Sequence, residues 1–152
     1  MGRGKGGIGI WRDALSVIGD ELVTMTDELG RTLHDLESAP RPHPETSAPP
    51  RLLARWDSLL LSHAPKHRDR VIGDEYRVAV YSKNADVLPT FLIDGMVAGT
   101  WTLSRAAGLV AIELRPFATL VATERGALEG EAHRVMTLLD PDANDRRVTF
   151  AT

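Results

Sequence analysis

His63 and His67 stand four residues apart with Asp69 close behind, and these residue types are the ones that hold metal ions. On a continuous helix that spacing turns both rings to one side. Pro65 falls between them and breaks such a helix, so a solvated loop is expected and no metal. Asp86, Asp94 and Glu113 raise a second chemistry, paired carboxylates for acid–base work. Asp94 precedes Gly95 between apolar segments, however, and that pair is first of all a turn signal. No G-x-S-x-G, H-E-x-x-H or phosphate-binding loop occurs, and no Ser/His/Asp set is suggested by spacing. Gly2–Gly7, GRGKGG, formally fits G-x-G-x-x-G, but no strand precedes Gly2 to carry a dinucleotide fold. No cofactor is expected.

The basic residues are the remaining group with chemistry. Lysine occurs only at Lys5, Lys66 and Lys83, so arginine carries most of the positive charge. Lys66, Arg68 and Arg70 share one loop, Lys83 and Asn84 another, while Arg105 flanks a turn and Arg115 ends a strand. Cations at strand ends suit phosphate oxygens, and asparagine suits base or sugar edges. The bland alternative is that exposed arginine solubilises any surface. A net charge of −3 removes the global basic footprint of most free-standing nucleic-acid binders, leaving only a local patch.

Composition narrows the class. With 43% apolar and 26% charged residues, the chain reads as an ordinary globular protein with a real core. The absence of cysteine excludes a disulfide, a thiolate nucleophile and a cysteine metal site, and fits the cytoplasm. No apolar run approaches the roughly 18 residues of a membrane span. The first residues carry no signal-peptide core, and Gly6 stands where a myristoylation signal wants Ser or Thr. A cytoplasmic protein without a membrane partner is expected.

These candidates need a scaffold. Ile10, Ala14, Val17, Ile18 and Leu22 recur at helical spacing, predicting a helix from Ile10 that stops near Gly19-Asp20. Leu22–Met25 alternates, DELG turns and RTLHDL returns, so a two-stranded ribbon comes next. Helix plus ribbon reads as the second half of a winged helix-turn-helix. Glu37 to Arg51 holds five of the nine prolines and reads as a linker. RLLARWDSLLLSH leaves strand and helix both open, and HAPKHRDRVIGDEY reads as a polar loop. Tyr76–Tyr81 alternates and predicts a strand entering a turn at Lys83-Asn84. Asp94-Gly95 predicts a hairpin with a type I′ turn, and Ala106–Gly108 turns into the returning strand LVAIELRPF. Leu128, Ala132, Val135 and Leu139 place a helix over Thr123–Asp140, with Thr123 as N-cap, and RRVTFAT closes as a strand. The fold class expected is α+β: a curved antiparallel sheet or partial β-barrel with one packed C-terminal helix, preceded by a helix-plus-wing remnant. The divisions expected are a disordered lead over 1–9, the remnant over 10–37, a linker over 38–51 and the barrel-like domain over 52–152.

RWDSLLLSH, EYR, KNADVLPTFLIDG and VAGTW together resemble the C-terminal region of the bacterial winged-helix DNA-binding family that includes the AlkZ-type DNA glycosylases. The resemblance runs from about Trp11 to Phe150, with Ser58 and Ala85 standing where that family usually has Asn and Gly. It implies tandem winged helices and a β-barrel-like domain in longer members, whose catalytic glutamine motif lies upstream of everything here. No catalytic residue is therefore carried over, and a truncated, non-enzymatic DNA-binding or repair-associated protein is expected. Lys83, Asn84, Arg105, Arg55 and Arg115 are the residues expected to touch DNA. A winged-helix stub without its covering helices also predicts a homodimer through Trp11 and the first helix. A self-associating interaction module that binds no DNA is the alternative.

Overall fold

The computed structural model describes residues 7–81 and 86–151. The chain divides after Thr46 into two compact units.

In the first unit, α1 (Gly7–Val17) leads through a 3-10 turn at Gly19–Glu21 into β1 (Leu22–Thr26) and β2 (Thr32–Leu36). The helix starts at Gly7, three residues before the apolar periodicity begins, so Gly7–Gly9 belong to it and not to a lead. The ribbon is antiparallel, pairing Leu22 with Leu36 and Thr26 with Thr32. Its turn is organised by Asp27, whose Oδ1 accepts from the backbone N–H of Leu29 at 3.0 Å and of Arg31 at 2.8 Å. Burial pushes the Asp27 carboxyl pKa up, yet hydrogen bonds from the Arg31 side chain and from these amides outweigh it and hold it low. Gly30, at φ 74°, supplies the left-handed residue that brings the chain back. No described residue of this unit is fully buried.

The second unit is built on a five-stranded sheet in the order β3-β4-β5-β6-β7: Arg51–Leu53, Thr90–Ile93, Met96–Ala106, Leu109–Pro116 and Asp145–Phe150. The first four strands pair antiparallel, whereas β7 runs parallel to β6. A parallel neighbour needs a crossover, and the 18-residue helix α4 (Ala122–Leu139) provides it. The expected all-antiparallel sheet is thus corrected to a mixed one. β3 and β7 are its two edges, so the sheet is open and forms no closed barrel.

Both hairpin turns arise from backbone sterics. Asp94 and Gly95 have φ of 48° and 80°, and Ala107 and Gly108 have 47° and 82°, the two positive values a type I′ turn requires. One face of the sheet packs Phe91, Trp101, Val110, Ile112 and Leu114 against Leu128, Ala132 and Met136 of α4. The alternation of β6 produces this directly, since Val110, Ile112 and Leu114 are buried while the residues between them are less so. On β5 the alternation is interrupted at Ala98, where the register shifts so that Phe91 faces Gly99 but Leu92 faces Val97. This bulge sends Val97 to the opposite face, into a second cluster with Leu60, Val71, Ile72, Val80, Val87 and Leu92.

The second cluster holds the main departure from the expected elements. Tyr76–Tyr81 is not a strand. Asp74–Tyr76 is a 3-10 turn and Arg77–Val80 the short helix α3, with only an isolated bridge from Tyr81 to Val87. Helical spacing brings Tyr76 and Val80 to one side, inside the cluster, while Val78 stands 89% exposed. A strand would have put all three on one face. The segment left open between strand and helix contains both: β3, then α2 (Ser58–Leu61), capped by Asp57 Oδ1 accepting from Leu59 N–H at 2.9 Å. Tyr81 donates its hydroxyl to the Leu60 carbonyl at 2.9 Å, and burial raises the pKa of its phenol. Thr123 is not the N-cap of α4. Val121 occupies that position, and Glu124 reaches back to its N–H at 2.9 Å.

Two contacts tie the β3 edge down. The Trp101 indole N–H donates to the Leu53 carbonyl at 2.8 Å. Glu131 on α4 is buried, accepting from Leu52 N–H at 3.4 Å and from Arg134 at 2.7 and 2.8 Å. A Cβ on Gly99 would fall on the Phe91 ring and the Arg115 carbonyl oxygen, so this position admits no side chain. Gly99→Ala is expected to lower stability by about 1–3 kcal/mol through overpacking. Trp101→Phe is expected to cost about 1–2 kcal/mol, because the Leu53 carbonyl loses its donor. Urea unfolding measures both losses, and hydrogen exchange of the Trp101→Phe protein should show faster opening of β3 than of β6.

Candidate nucleic-acid interface

The face of the sheet turned away from α4 is polar where the second cluster does not cover it. Alternation places Thr100, Thr102 and Ser104 of β5 there, paired across to Arg115, Glu113 and Ala111 of β6. β7 extends the same face with Arg147 beside Ala111 and Thr149 beside Glu113. Hydroxyls and guanidinium groups on a pleated surface are donors suited to phosphate oxygens.

A cleft of about 320 Å³ opens at the β4 side of this face, where Leu88 and Pro89 meet Arg55, Thr100, Thr102, Glu113 and Arg115. Two of the five cations and amides singled out in the sequence, Arg55 and Arg115, thus converge on one cleft from segments sixty residues apart in the chain. Both guanidinium groups are mostly exposed and each has a carboxylate neighbour. Arg55 Nη1 lies 3.2 Å from Asp86, and Arg115 Nη2 lies 3.1 Å from Glu113. The carboxylates considered for acid–base chemistry therefore have other work: Asp86 and Glu113 are counter-ions and Asp94 is a turn residue.

Arg105 lies elsewhere, at the far end of β5, beside a shallow cleft of about 530 Å³ formed by the β5–β6 turn and the α4–β7 connection. It grips Asp140 with both edges of its guanidinium, Nε to Oδ1 at 2.8 Å and Nη2 to Oδ2 at 2.7 Å. The hydrogen bond from Arg105 holds the Asp140 carboxyl below its ordinary pKa, with burial opposing, and Asp140 raises the pKa of Arg105 in return. Asp140 ends α4, and Arg146 donates to its carbonyl at 2.7 Å, so this corner fastens the crossover helix to the final strand. Lys83 and Asn84 lie outside the described residues.

Among the described residues, no group of three metal-ligating side chains comes together, and no helix is long and apolar enough to cross a membrane. His63 and His67 flank the start of the 3-10 segment Pro65–Arg70, where Arg68 lies over the Tyr81 ring at 4.1 Å. Thr100, Thr102, Arg147 and Trp56 are not singled out by the sequence alone. The threonines are legible there only as strand formers, and only the register shows which face they share with Arg115.

The residues match the family model described as DNA glycosylase AlkZ-like over 9–138. No curated protein matches the sequence. Among solved structures, Streptomyces sahachiroi DNA glycosylase AlkZ is similar at a TM-score of 0.70 and 25% identity, over 92% of this chain and 36% of that one. The chain spans about a third of the length of that relative. It belongs to the AlkZ-like DNA glycosylase family.

The Arg105–Asp140 pair sets a pH dependence that can be checked. A carboxyl whose folded pKa is depressed stabilises the protein above its unfolded value of about 4, and that stability is lost as pH falls through the folded pKa. Asp140 is accordingly expected to titrate below the ordinary carboxylate range in a carboxyl NMR titration, and Arg105→Gln to shift it upward. Solvent around the pair screens it, so its share of stability is small.

Proposed function

Taking membership of the AlkZ-like family as the premise, we propose that this chain is a DNA-binding module of DNA repair that carries no base-excision chemistry in its described residues. The observation that supports this reading is the convergence of Arg55 and Arg115 on one cleft beside the Thr100 and Thr102 hydroxyls. Exposed ion pairs of this kind hold each arginine by about 0–1 kcal/mol, so a phosphate can replace Asp86 or Glu113 at little cost. The footprint is local, which suits a chain whose overall charge is −3. Lys83, Asn84 and Arg105 complete the proposed contacts. Arg105 contributes least, because its two-pronged hold on Asp140 leaves few donors for a phosphate.

The same premise supports reading the helix and antiparallel ribbon of the first unit, α1, β1 and β2, as the second half of a winged helix. A second function rests on that unit. On α1, Trp11 is 62% and Val17 84% exposed, and Ile10 is exposed beside them, an apolar face that self-association would bury. On this reading the chain is an interaction module and forms a homodimer through α1.

Fluorescence anisotropy with a short labelled duplex at low salt separates the two. Binding that weakens steeply with salt is expected, with Arg55→Gln and Arg115→Gln each lowering affinity about 3- to 10-fold and the salt slope by about 1. No binding at micromolar protein removes the first reading. For the second, light scattering is expected to report a dimer that Trp11→Asp converts to a monomer, and a monomeric parent protein removes it.

A further inference from the structure

Trp56 combines two properties that the fold does not explain together. Its backbone is left-handed, at φ 64°, a conformation uncommon for a bulky side chain and adopted more easily by Gly, Asn or Asp. Its indole is nevertheless 48% exposed. The other tryptophan of this unit, Trp101, is buried and bonded to Leu53, so the sheet and its core already have their anchor. At position 56 the chain holds a strained turn and presents an aromatic ring that the core leaves half in solvent. Strain maintained at an exposed ring points to a use outside the core.

The turn is held from both sides. Trp56 N–H donates to the Val87 carbonyl and Asp57 N–H to the Ala54 carbonyl, both at 3.3 Å. Asp57 then caps α2 through Leu59 N–H. Val87 precedes Leu88 and Pro89, which line the cleft shared by Arg55 and Arg115. Trp56 is thus next in sequence to one of the cleft's two guanidinium groups and is bonded through its backbone to the segment that leads into Leu88 and Pro89. An aromatic face beside cations set on separate segments is the combination that binds single-stranded nucleic acid, the ring stacking on a base and the cations meeting its phosphates. Paired bases inside a duplex do not offer a free face, whereas an unpaired base does.

We propose that Trp56 is a stacking platform for one unpaired nucleobase, with the neighbouring phosphates lying against Arg55 and Arg115. The proposal rests on the DNA-binding reading above and adds to it a preference for an unpaired nucleotide.

Stacking and charge separate experimentally. The probes are a fluorescein-labelled oligothymidylate of about a dozen residues and an abasic sugar–phosphate chain of the same length and charge, both titrated by anisotropy. The wild-type chain is expected to bind the thymidylate about tenfold more tightly than the abasic chain, the size of one base stacked on a ring. Trp56→Leu and Trp56→Gly are expected to erase that difference while leaving abasic binding unchanged, and Trp56→Tyr to keep most of it. Arg55→Gln should instead weaken both probes equally and flatten the salt dependence. Because glycine suits a left-handed backbone, Trp56→Gly is expected to melt no lower than wild type. Equal binding of the two probes by wild type overturns the stacking platform and leaves the DNA-binding reading standing. Trp56→Leu or Trp56→Gly binding thymidylate as tightly as wild type has the same effect. Failure of the wild-type chain to bind either probe or the duplex overturns both readings.

Discussion

The second unit depends on one bond, the indole N–H of Trp101 reaching the carbonyl of Leu53 across β4. Leu53 belongs to a strand of three residues, too short to hold an edge by its ladder alone. Trp101 sits in the middle of the longest strand, two residues from Gly99, whose missing side chain leaves room for the Phe91 ring. The bond therefore joins the most secure part of the sheet to the least secure. Glu131 closes the same edge from the helix side through Leu52. The residues next in the chain after β3 inherit its position: Arg55, the Trp56 turn and the Asp57 cap of α2 are all set by where Leu53 is held.

The cleft combines this anchored edge with a face selected by register. Thr100 and Arg115 are opposite residues of a pair, and a slip of one position would turn both toward α4. Buried Trp101, Ile112 and Leu114 on the other face forbid that slip, so apolar packing on one side fixes the polar chemistry on the other. The carboxylates there keep two arginines soluble and oriented without locking them. At the opposite end of β5 the Arg105–Asp140 pair is closer and two-pronged, and its work is to join helix to strand.

The local parts of this fold are clearly legible in the amino-acid order. Asp94-Gly95 and Ala107-Gly108 announce their hairpins because few residues accept positive φ, and the helical spacing of Leu128, Ala132 and Val135 announces α4. Non-local choices are less visible. That β7 pairs parallel to β6 depends on the crossover of α4, which no pattern within RRVTF records. Tyr76–Val80 alternates as a strand would, and only burial of Tyr76 and Val80 in one cluster resolves it as a helix. Of the site, arginines can be named but not grouped, since Arg55 and Arg115 meet only after the strands are in order. Trp56 carries no signal, because a left-handed tryptophan looks in sequence like any apolar residue before Asp.

The parallel pairing of β7 also bears on how the chain assembles. β4, β5 and β6 form a meander whose contacts are close in sequence, so it can gather with little loss of loop entropy. β7 has no place to dock until α4 has crossed the sheet, and β3 none until Trp101 is in position to receive it. The two edge pairings thus close longer loops than the meander does. Because Arg55 and Trp56 come directly after β3, the cleft is complete only when this edge strand is in place.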